Sequence, residues 1–154
     1  MRIQSIYVDT SVIGGCFDPE FSLWSNGLIK DFIHGNFKLV LSELIATEIS
    51  DAPKFVQEKY NEIISHCSLF LNVSKEALEL VNAYLKRNIL SENFHDDGLH
   101  IALATIAEVD ILVSWNFKHI VHYDKIRLFN SANIELGYKP LQIYSPREVT
   151  HYEE

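Results

Sequence analysis

Short apolar runs alternate with longer segments of helical period along almost the whole chain, and this alternation constrains the fold more than any other feature. The runs have the length of strands, whereas the segments between them repeat apolar residues at helical spacing. Strands that alternate with helices in this way favour a parallel sheet covered by helices. The sequence therefore predicts an α/β fold.

Turn and capping residues set the limits of the predicted elements. Strands are predicted at residues 3–8, 37–41, 68–73, 111–113 and 141–144, the third as a short strand or edge. Gly14 and Gly15 predict a loop after the first strand. Helices are predicted at residues 19–34, 43–51 after a Ser42 cap, 53–65, 96–107 and 124–136 before Gly137. A further helix begins after a Ser74 cap, a short helix follows a turn at residues 114–116 and ends at His119, and a final short helix begins at a capping box from Ser145 to Glu148.

The length of 154 residues suits one domain. We expect residues 1–150 to form a single domain and residues 151–154 to form a short acidic tail. No apolar run approaches the roughly 18 residues that would span a bilayer, and the first residues lack the pattern of a secretory signal. Two cysteines, Cys16 and Cys67, are expected as free thiols in a reducing compartment. These features predict a cytoplasmic protein without a membrane segment.

The formal net charge of -8 argues against a general nucleic-acid-binding surface, because affinity for the phosphate backbone comes largely from Lys and Arg. The net charge weighs less against phosphate binding if several carboxylates gather around a cation. A bound metal would then carry part of the positive charge that faces the phosphate.

Polar residues directly follow three of the predicted strands, which is where ligands bind in open parallel sheets. The three segments are residues 9–11, with Asp9 and Thr10; residues 42–48, with Glu48; and residues 114–116, with Ser114 and Asn116. Because the carboxyl ends of parallel strands meet at one edge of a sheet, these side chains are candidates for a shared site.

Two further acids, Asp96 and Asp97, open an otherwise apolar helix, where the helix dipole tolerates negative charge. Successive helical residues point about 100° apart, so the two carboxylates cannot aim at one point. We expect Asp97 to be the ligand and Asp96 to be a cap or supporting residue. Several oxygen ligands, mostly carboxylates, suit Mg²⁺ or Mn²⁺.

Four segments together resemble the PIN-domain family, in the family's order and across almost the whole chain. They are YVDTS at 7–11, LSELIATEI at 41–49, DDGLHIALA at 96–104 and LVSWNFKHI at 112–120. Within the family the sequence is most similar to a branch related to the VapC-type toxins, including GYKP at 137–140 and YSPRE at 144–148. The resemblance implies a three-layer sandwich with a central parallel sheet flanked by helices.

The resemblance also implies a Mg²⁺- or Mn²⁺-dependent endoribonuclease whose acids are Asp9, Glu48 and Asp97. The fourth position, usually Asp in active members, is Asn116 here. An amide is neutral and a poorer metal ligand, so the site holds three negative charges where the family pattern has four. One metal can still orient a phosphate and lower the pKa of a water.

In this interpretation Asn116 and the hydroxyls of Thr10 and Ser114 position waters or phosphate oxygens, and Lys118 or His119 steadies the RNA backbone. An antitoxin protein and a second copy of the chain are the expected partners. The alternative function is a catalytically weak or inactive domain that binds RNA or a protein partner, and Asn116 is the residue that favours it.

Several other interpretations compete for the same residues. His95 with His100, or His119 with His122 and Asp124, could suggest zinc, but neither set is a recognised tetrahedral one. An aspartic protease needs a second Asp-Thr-Ser triplet, and a haloacid-dehalogenase-type phosphatase needs an acid in place of Ser11. His100 is expected as a satisfied core histidine. Trp115 and Phe117 are expected to pack rather than to stack on bases.

Overall fold

Five strands form one sheet in which every recorded pairing is parallel. The computed structural model describes residues 2–150. The strands are β1 (Ser5–Val8), β2 (Lys38–Ser42), β3 (Cys67–Leu71), β4 (Ile111–Val113) and β5 (Gln142–Tyr144). They lie side by side in the order β3-β2-β1-β4-β5. The predicted α/β class is confirmed.

Eight helices connect or follow these strands in the described part of the chain. They are α1 (Thr10–Gly15), α2 (Ser22–Ile33), α3 (Glu43–Ser50), α4 (Lys54–Ile63), α5 (Lys75–Lys86), α6 (His95–Ile106), α7 (Tyr123–Glu135) and α8 (Pro146–Val149). Short 3-10 turns at Ile64–His66 and Glu92–Phe94 precede β3 and α6. Elements therefore follow one another in the order that the alternating sequence pattern predicts.

The chain winds in two directions from the centre of the sheet. It runs outward from β1 to β3, then returns to the other side of β1 at β4 and continues to β5. Right-handed crossovers place the helices of these two halves on opposite faces. The helix contacts agree, because α1 touches α2, α3 and α4 whereas α5 touches α6 and α7. This is the predicted three-layer sandwich, and the carboxyl ends of β1 and β4 meet at its topological switch point.

The central strands are apolar on both faces, as expected for a parallel sheet covered by two helix layers. Ile6, Tyr7 and Val8 of β1 and Leu112 and Val113 of β4 are fully buried. The β3 edge is largely exposed, as its predicted edge position requires. The positions that follow β1 and β4 are therefore held by the best-packed part of the molecule.

Two local predictions are wrong. The residues after Asp9 form helix α1 and not a loop, although two glycines close it. Gly15 is required by packing, since a Cβ there would lie 2.7 Å from Nε1 of Trp115. The short helix expected up to His119 is a turn, in which the Asn116 carbonyl accepts from the N–H groups of Ile120 and Val121.

Other local predictions are confirmed. Gly137 has a positive φ of 90° after α7, and Ser145 and Glu148 form the expected capping box at α8. Cys16 and Cys67 are free, and burial raises the pKa of the Cys16 thiol to about 11. Across residues 2–150, none of the helices combines the length and apolar character that a membrane span needs. The predicted tail at 151–154 lies outside the described residues.

Candidate active site at the switch point of the sheet

Asp9 follows β1 directly and occupies the N-cap position of α1 without capping it. Its side chain is almost fully buried. The Ser11 hydroxyl donates to Oδ1 and the Ser114 hydroxyl donates to Oδ2, both at 2.6 Å. Ser11 follows β1 and Ser114 follows β4. Residues that follow both central strands therefore hold this carboxylate in place.

Burial raises the pKa of the Asp9 carboxyl group above its ordinary value, because a charged carboxylate is poorly solvated there. The charge of His100 and the two serine hydroxyls act in the opposite direction, and the nearby charge of Glu48 adds to the increase. Asp9 is therefore a buried acid whose charge needs a positive partner.

Asp97 lies in the first turn of α6 and is half-buried, whereas its neighbour Asp96 is exposed. Burial raises the pKa of Asp97, the charges of His119 and His100 oppose this rise, and the charge of Asp9 adds to it. The coupling to Asp9 brings the acids after β1 and at the start of α6 into one electrostatic cluster. Asp96 lies outside this cluster, and its Oδ1 accepts a hydrogen bond from Nδ1 of His95 at 3.1 Å. The predicted cap role of Asp96 is wrong, because Phe94 occupies the N-cap position of α6.

The Asn116 side chain uses both of its polar ends within the protein. Its Oδ1 accepts from the His119 N–H at 3.0 Å, and its amide hydrogen-bonds the Asp97 carboxylate. Asn116 therefore holds the Asp97 carboxylate in place and stabilises the turn that follows β4. In this structure it acts as a support for a carboxylate.

Glu48 points to the site from α3, and a second glutamate of that helix does not. Oε1 of Glu48 accepts from the Thr10 hydroxyl at 3.0 Å. Glu43 instead accepts from the Val73 N–H and so anchors the segment after β3. The hydroxyls of Thr10 and Ser114, expected to face waters or phosphate, are directed at the carboxylates of Glu48 and Asp9.

His100 is a core histidine, as predicted, and it also contacts one of the site acids. It is buried and satisfied, as expected of a core histidine, but Nε2 lies 2.6 Å from Oε1 of Glu48. Because a carboxylate has no proton to offer, Nε2 carries the proton in either charge state. Nδ1 lies 2.7 Å from the Tyr7 hydroxyl, which in turn lies 2.8 Å from Oγ of Ser42.

This chain of contacts connects Glu48 to Tyr7 in β1 and to Ser42 at the end of β2. Burial raises the pKa of the Tyr7 hydroxyl, so it stays protonated and can donate to Nδ1 of a neutral His100. Burial alone would lower the pKa of His100. The hydrogen bond to Glu48 and the charges of Asp9, Glu48 and Asp97 outweigh that effect and raise it.

The remaining predicted residues lie around the acids. Lys118 is exposed, with its ammonium group 5.9 Å from the centre of the Phe94 ring. The His119 ring stacks on the same Phe94 ring at 3.8 Å, and its Nδ1 is buried without a partner. Trp115 is buried as expected, and Phe117, although 48% exposed, packs edge-on against it with ring centres 6.1 Å apart.

The donor chemistry of the acids fits a hard divalent cation. Three carboxylates share one electrostatic cluster, and the positive groups that act on Asp9 and Asp97 are histidines. Carboxylate oxygens are the ligands that Mg²⁺ and Mn²⁺ prefer. Within residues 2–150, no three His, Cys, Asp or Glu side chains are already drawn together as metal ligands. This holds for the zinc alternatives as well.

The raised pKa values lead to a prediction about stability. Folded Asp9 and Asp97 hold protons more tightly than in the unfolded chain, so unfolding releases protons. In EDTA the free energy of unfolding should fall as pH rises from the ordinary Asp range towards the raised pKa values. The raised pKa of His100 acts in the same direction above its ordinary value of 6.5, whereas the lowered pKa of His119 acts in the opposite direction below that value. The lowered pKa of Asp110 also acts in the opposite direction, but below the ordinary Asp range.

We expect Asp9→Asn to raise the thermal midpoint in EDTA at pH 7.5 by about 2–6 °C, because a neutral side chain avoids the burial of charge. Thermal unfolding of both proteins between about pH 4 and pH 8 measures this. Parallel curves for the native protein and Asp9→Asn would contradict it.

Neither protein-family models nor curated proteins match the sequence. Solved structures do match. VapBC2 from Rickettsia felis bound to a promoter DNA fragment has a TM-score of 0.60 at 15% identity, over 92% of this chain and 98% of that one. FitAcB from Neisseria gonorrhoeae has a TM-score of 0.58 at 14% identity, over 94% and 99%. A toxin-antitoxin complex from Klebsiella pneumoniae has 0.55 at 18% identity, over 74% and 88%.

Identities this low show likeness of fold alone. The likeness extends over nearly all of the VapBC2 and FitAcB chains that match. It agrees with the parallel sheet order and with the motif order along the sequence. The chain therefore has the fold of the VapC-like PIN-domain toxins.

Proposed function

We propose that the chain is a Mg²⁺- or Mn²⁺-dependent endoribonuclease and the toxin of a toxin-antitoxin pair. The observation that carries the proposal is the placement of three acids at the switch point of the sheet. Asp9 directly follows β1, Glu48 contacts Thr10 of α1 and His100 of α6, and Asp97 lies one turn before His100 on α6. Burying acids together is unfavourable without a cation, so this cluster calls for a function that uses one.

In the proposed mechanism Asp9, Glu48 and Asp97 hold the cation. A divalent cation bound there supplies Lewis acidity to the scissile phosphate and lowers the pKa of the attacking water. Ser11 and Ser114 keep Asp9 in one orientation through their 2.6 Å hydrogen bonds. The products would carry a 5′-phosphate and a 3′-hydroxyl, as the family resemblance implies.

The other supporting residues orient acids or face the substrate. Thr10 and His100 fix Oε1 of Glu48, and Asn116 fixes Asp97. The exposed Lys118 and the half-buried His119 follow Asn116 in sequence and would contact the RNA backbone near the acids.

Asn116 and His100 both reduce the negative charge of the site relative to four carboxylates. Asn116 is neutral, and His100 adds up to one positive charge where its raised pKa keeps it protonated. A site of this charge favours one cation over two, because each further cation requires more carboxylate charge to offset its dehydration.

The alternative, a weak or inactive domain that binds RNA or a partner, rests on one observation. Both polar ends of Asn116 are engaged inside the protein. The experiment that separates the two functions is cleavage of a mixed single-stranded RNA panel by the purified protein in Mg²⁺, Mn²⁺ or EDTA. Cleavage that requires metal supports the nuclease. Binding of the same RNAs without cleavage in any metal would support the alternative.

Asn116→Asp tests the role of the fourth position directly. The new carboxylate can still accept from the His119 N–H, but it would repel Asp97 instead of donating to it. We expect a lower thermal midpoint in EDTA and Mg²⁺ binding that is about 10-fold tighter, because the site gains one negative charge. Calorimetric titration with Mg²⁺ measures this; an unchanged affinity would mean that residue 116 lies outside the cation site.

The proposal includes an antitoxin protein and a homodimer in the cytoplasm. The matching structures include a toxin-antitoxin complex from Klebsiella pneumoniae, and VapBC2 and FitAB, each bound to a DNA fragment. Exposed apolar residues such as Leu23 on α2 and Ile134 on α7 offer surface for partners. Light scattering of the purified chain would test the homodimer, and co-purification with the product of a neighbouring small gene would test the antitoxin.

A further inference from the structure

A cavity of about 420 Å³ opens beside the acid cluster, between the end of α1 and the segment after β4. Ser11 and Asn116, which support Asp9 and Asp97, form the side nearest the acids. We propose that this cavity holds a nucleobase of single-stranded RNA next to the cleaved phosphodiester, with a preference for guanine. The inference rests on the proposed ribonuclease function and adds a substrate subsite to it.

The far wall of the cavity is aromatic and rigid. Phe21 and Trp115 stack with ring centres 4.1 Å apart. The Trp115 indole N–H donates to Oγ of Ser25, and its backbone N–H donates to Oγ of Ser11. Because Trp115 is buried, it holds the half-buried Phe21 ring in place, and Phe21 is the ring against which a base can stack. Stacking against aromatic side chains is the common means of binding single-stranded RNA.

Gly14 gives the strongest indication that the cavity is used. It lies within α1, where glycine is less favourable than alanine by about 1 kcal/mol. Its neighbour Gly15 is explained by the Trp115 ring, but a Cβ on Gly14 would meet nothing within 4 Å. Packing therefore does not require glycine at position 14. The glycine leaves this part of the cavity wall without a side chain, at a cost to helix stability.

The rim of the cavity carries an acceptor. Asp18 lines it, and its Oδ1 accepts from the Glu20 N–H at 2.8 Å, which fixes the carboxylate at the rim. A carboxylate accepts hydrogen bonds and has none to donate. Guanine presents two adjacent N–H donors on its Watson–Crick edge, whereas uracil presents one donor between two acceptors. The rim therefore favours guanine and disfavours uracil.

Binding can be measured without catalysis. In a Trp24→Phe background the fluorescence reports on Trp115, and guanosine and uridine are titrated in EDTA. We expect saturable quenching by guanosine and at least 5-fold weaker binding of uridine. Gly14→Leu should abolish the guanosine response, Gly14→Ala should weaken it less, and Asp18→Asn should reduce the difference between the two nucleosides. Both Gly14 variants should raise the thermal midpoint, which excludes misfolding as the cause.

Cleavage provides the second readout. Gly14→Leu should lower kcat/KM on single-stranded RNA by about 10- to 100-fold, the range expected for the loss of one stacked base. If the native protein cleaves RNA but Gly14→Leu changes neither cleavage nor guanosine quenching, the subsite is refuted and the nuclease stands. If quenching follows the expected order but no RNA is cleaved in any metal, the subsite stands and the nuclease fails.

Discussion

Asp97→Asn should abolish RNA cleavage, whereas Asp96→Asn should leave it within about twofold of the native rate. The two acids are adjacent in α6, but Asp97 is half-buried and coupled to Asp9, and Asp96 is exposed and pairs with His95. Removing one carboxylate from a cation site removes several kcal/mol of transition-state stabilisation, so we expect a loss of at least 10²-fold for Asp97→Asn.

Asp96→Asn is the charge-matched control for Asp97→Asn, because each variant removes one negative charge from the same turn of the same helix. Cleavage of a fluorescent single-stranded RNA in Mg²⁺ gives the rates, and calorimetry gives Mg²⁺ affinity. An equal effect of the two substitutions on rate and on affinity would show that only the negative charge of this turn matters and that Asp97 is not a ligand.

His100→Ala should cause the largest loss of stability of any single substitution in the site. It removes a buried ring and leaves the fully buried Tyr7 hydroxyl and the Glu48 carboxylate without their shared partner. The Tyr7 hydroxyl keeps its contact with Ser42, and Glu48 keeps its hydrogen bond from Thr10. Cavity formation and the loss of two hydrogen bonds of a buried ring together cost about 3–5 kcal/mol. For a chain of this size the thermal midpoint should fall by on the order of 10 °C.

Two smaller substitutions separate the contacts of His100. Gln can place a donor near the position of Nε2 and so keep the Glu48 contact, whereas Asn can keep the Tyr7 contact at the position of Nδ1. If His100 orients Glu48, Mg²⁺ affinity should survive in His100→Gln and fall in His100→Asn at similar thermal midpoints. Equal Mg²⁺ affinities in the two variants would leave His100 a purely structural residue.

The fold was predictable from the sequence because its signals are local. Central strands such as Ile111–Val113 are apolar throughout, and Gly137 marks the end of α7. Helix α1 was missed because a Gly14-Gly15 pair normally indicates a turn. The reason for Gly15 is the Trp115 ring, which lies 100 positions later in the chain and cannot be inferred from nearby residues.

The same distinction applies to the site. Asp9 and Asp97 could be proposed because one follows a strand and the other opens an apolar helix. His100 could not, because a single histidine in an apolar helix looks like a core residue, and its partners Tyr7 and Glu48 lie 93 and 52 positions away. The orientation of the Thr10 and Ser114 hydroxyls depends on the same long-range packing.

The position of the acids at the switch point has a kinetic consequence. Asp9 and Glu48 belong to the half of the sheet that winds one way, and Asp97 belongs to the half that winds the other way. A cation shared by them would act as a reversible cross-link between segments about 90 residues apart, closing a long loop. Its contacts need both halves in place, so we expect it to slow unfolding more than it speeds folding. Chelation would then shorten the lifetime of the folded chain.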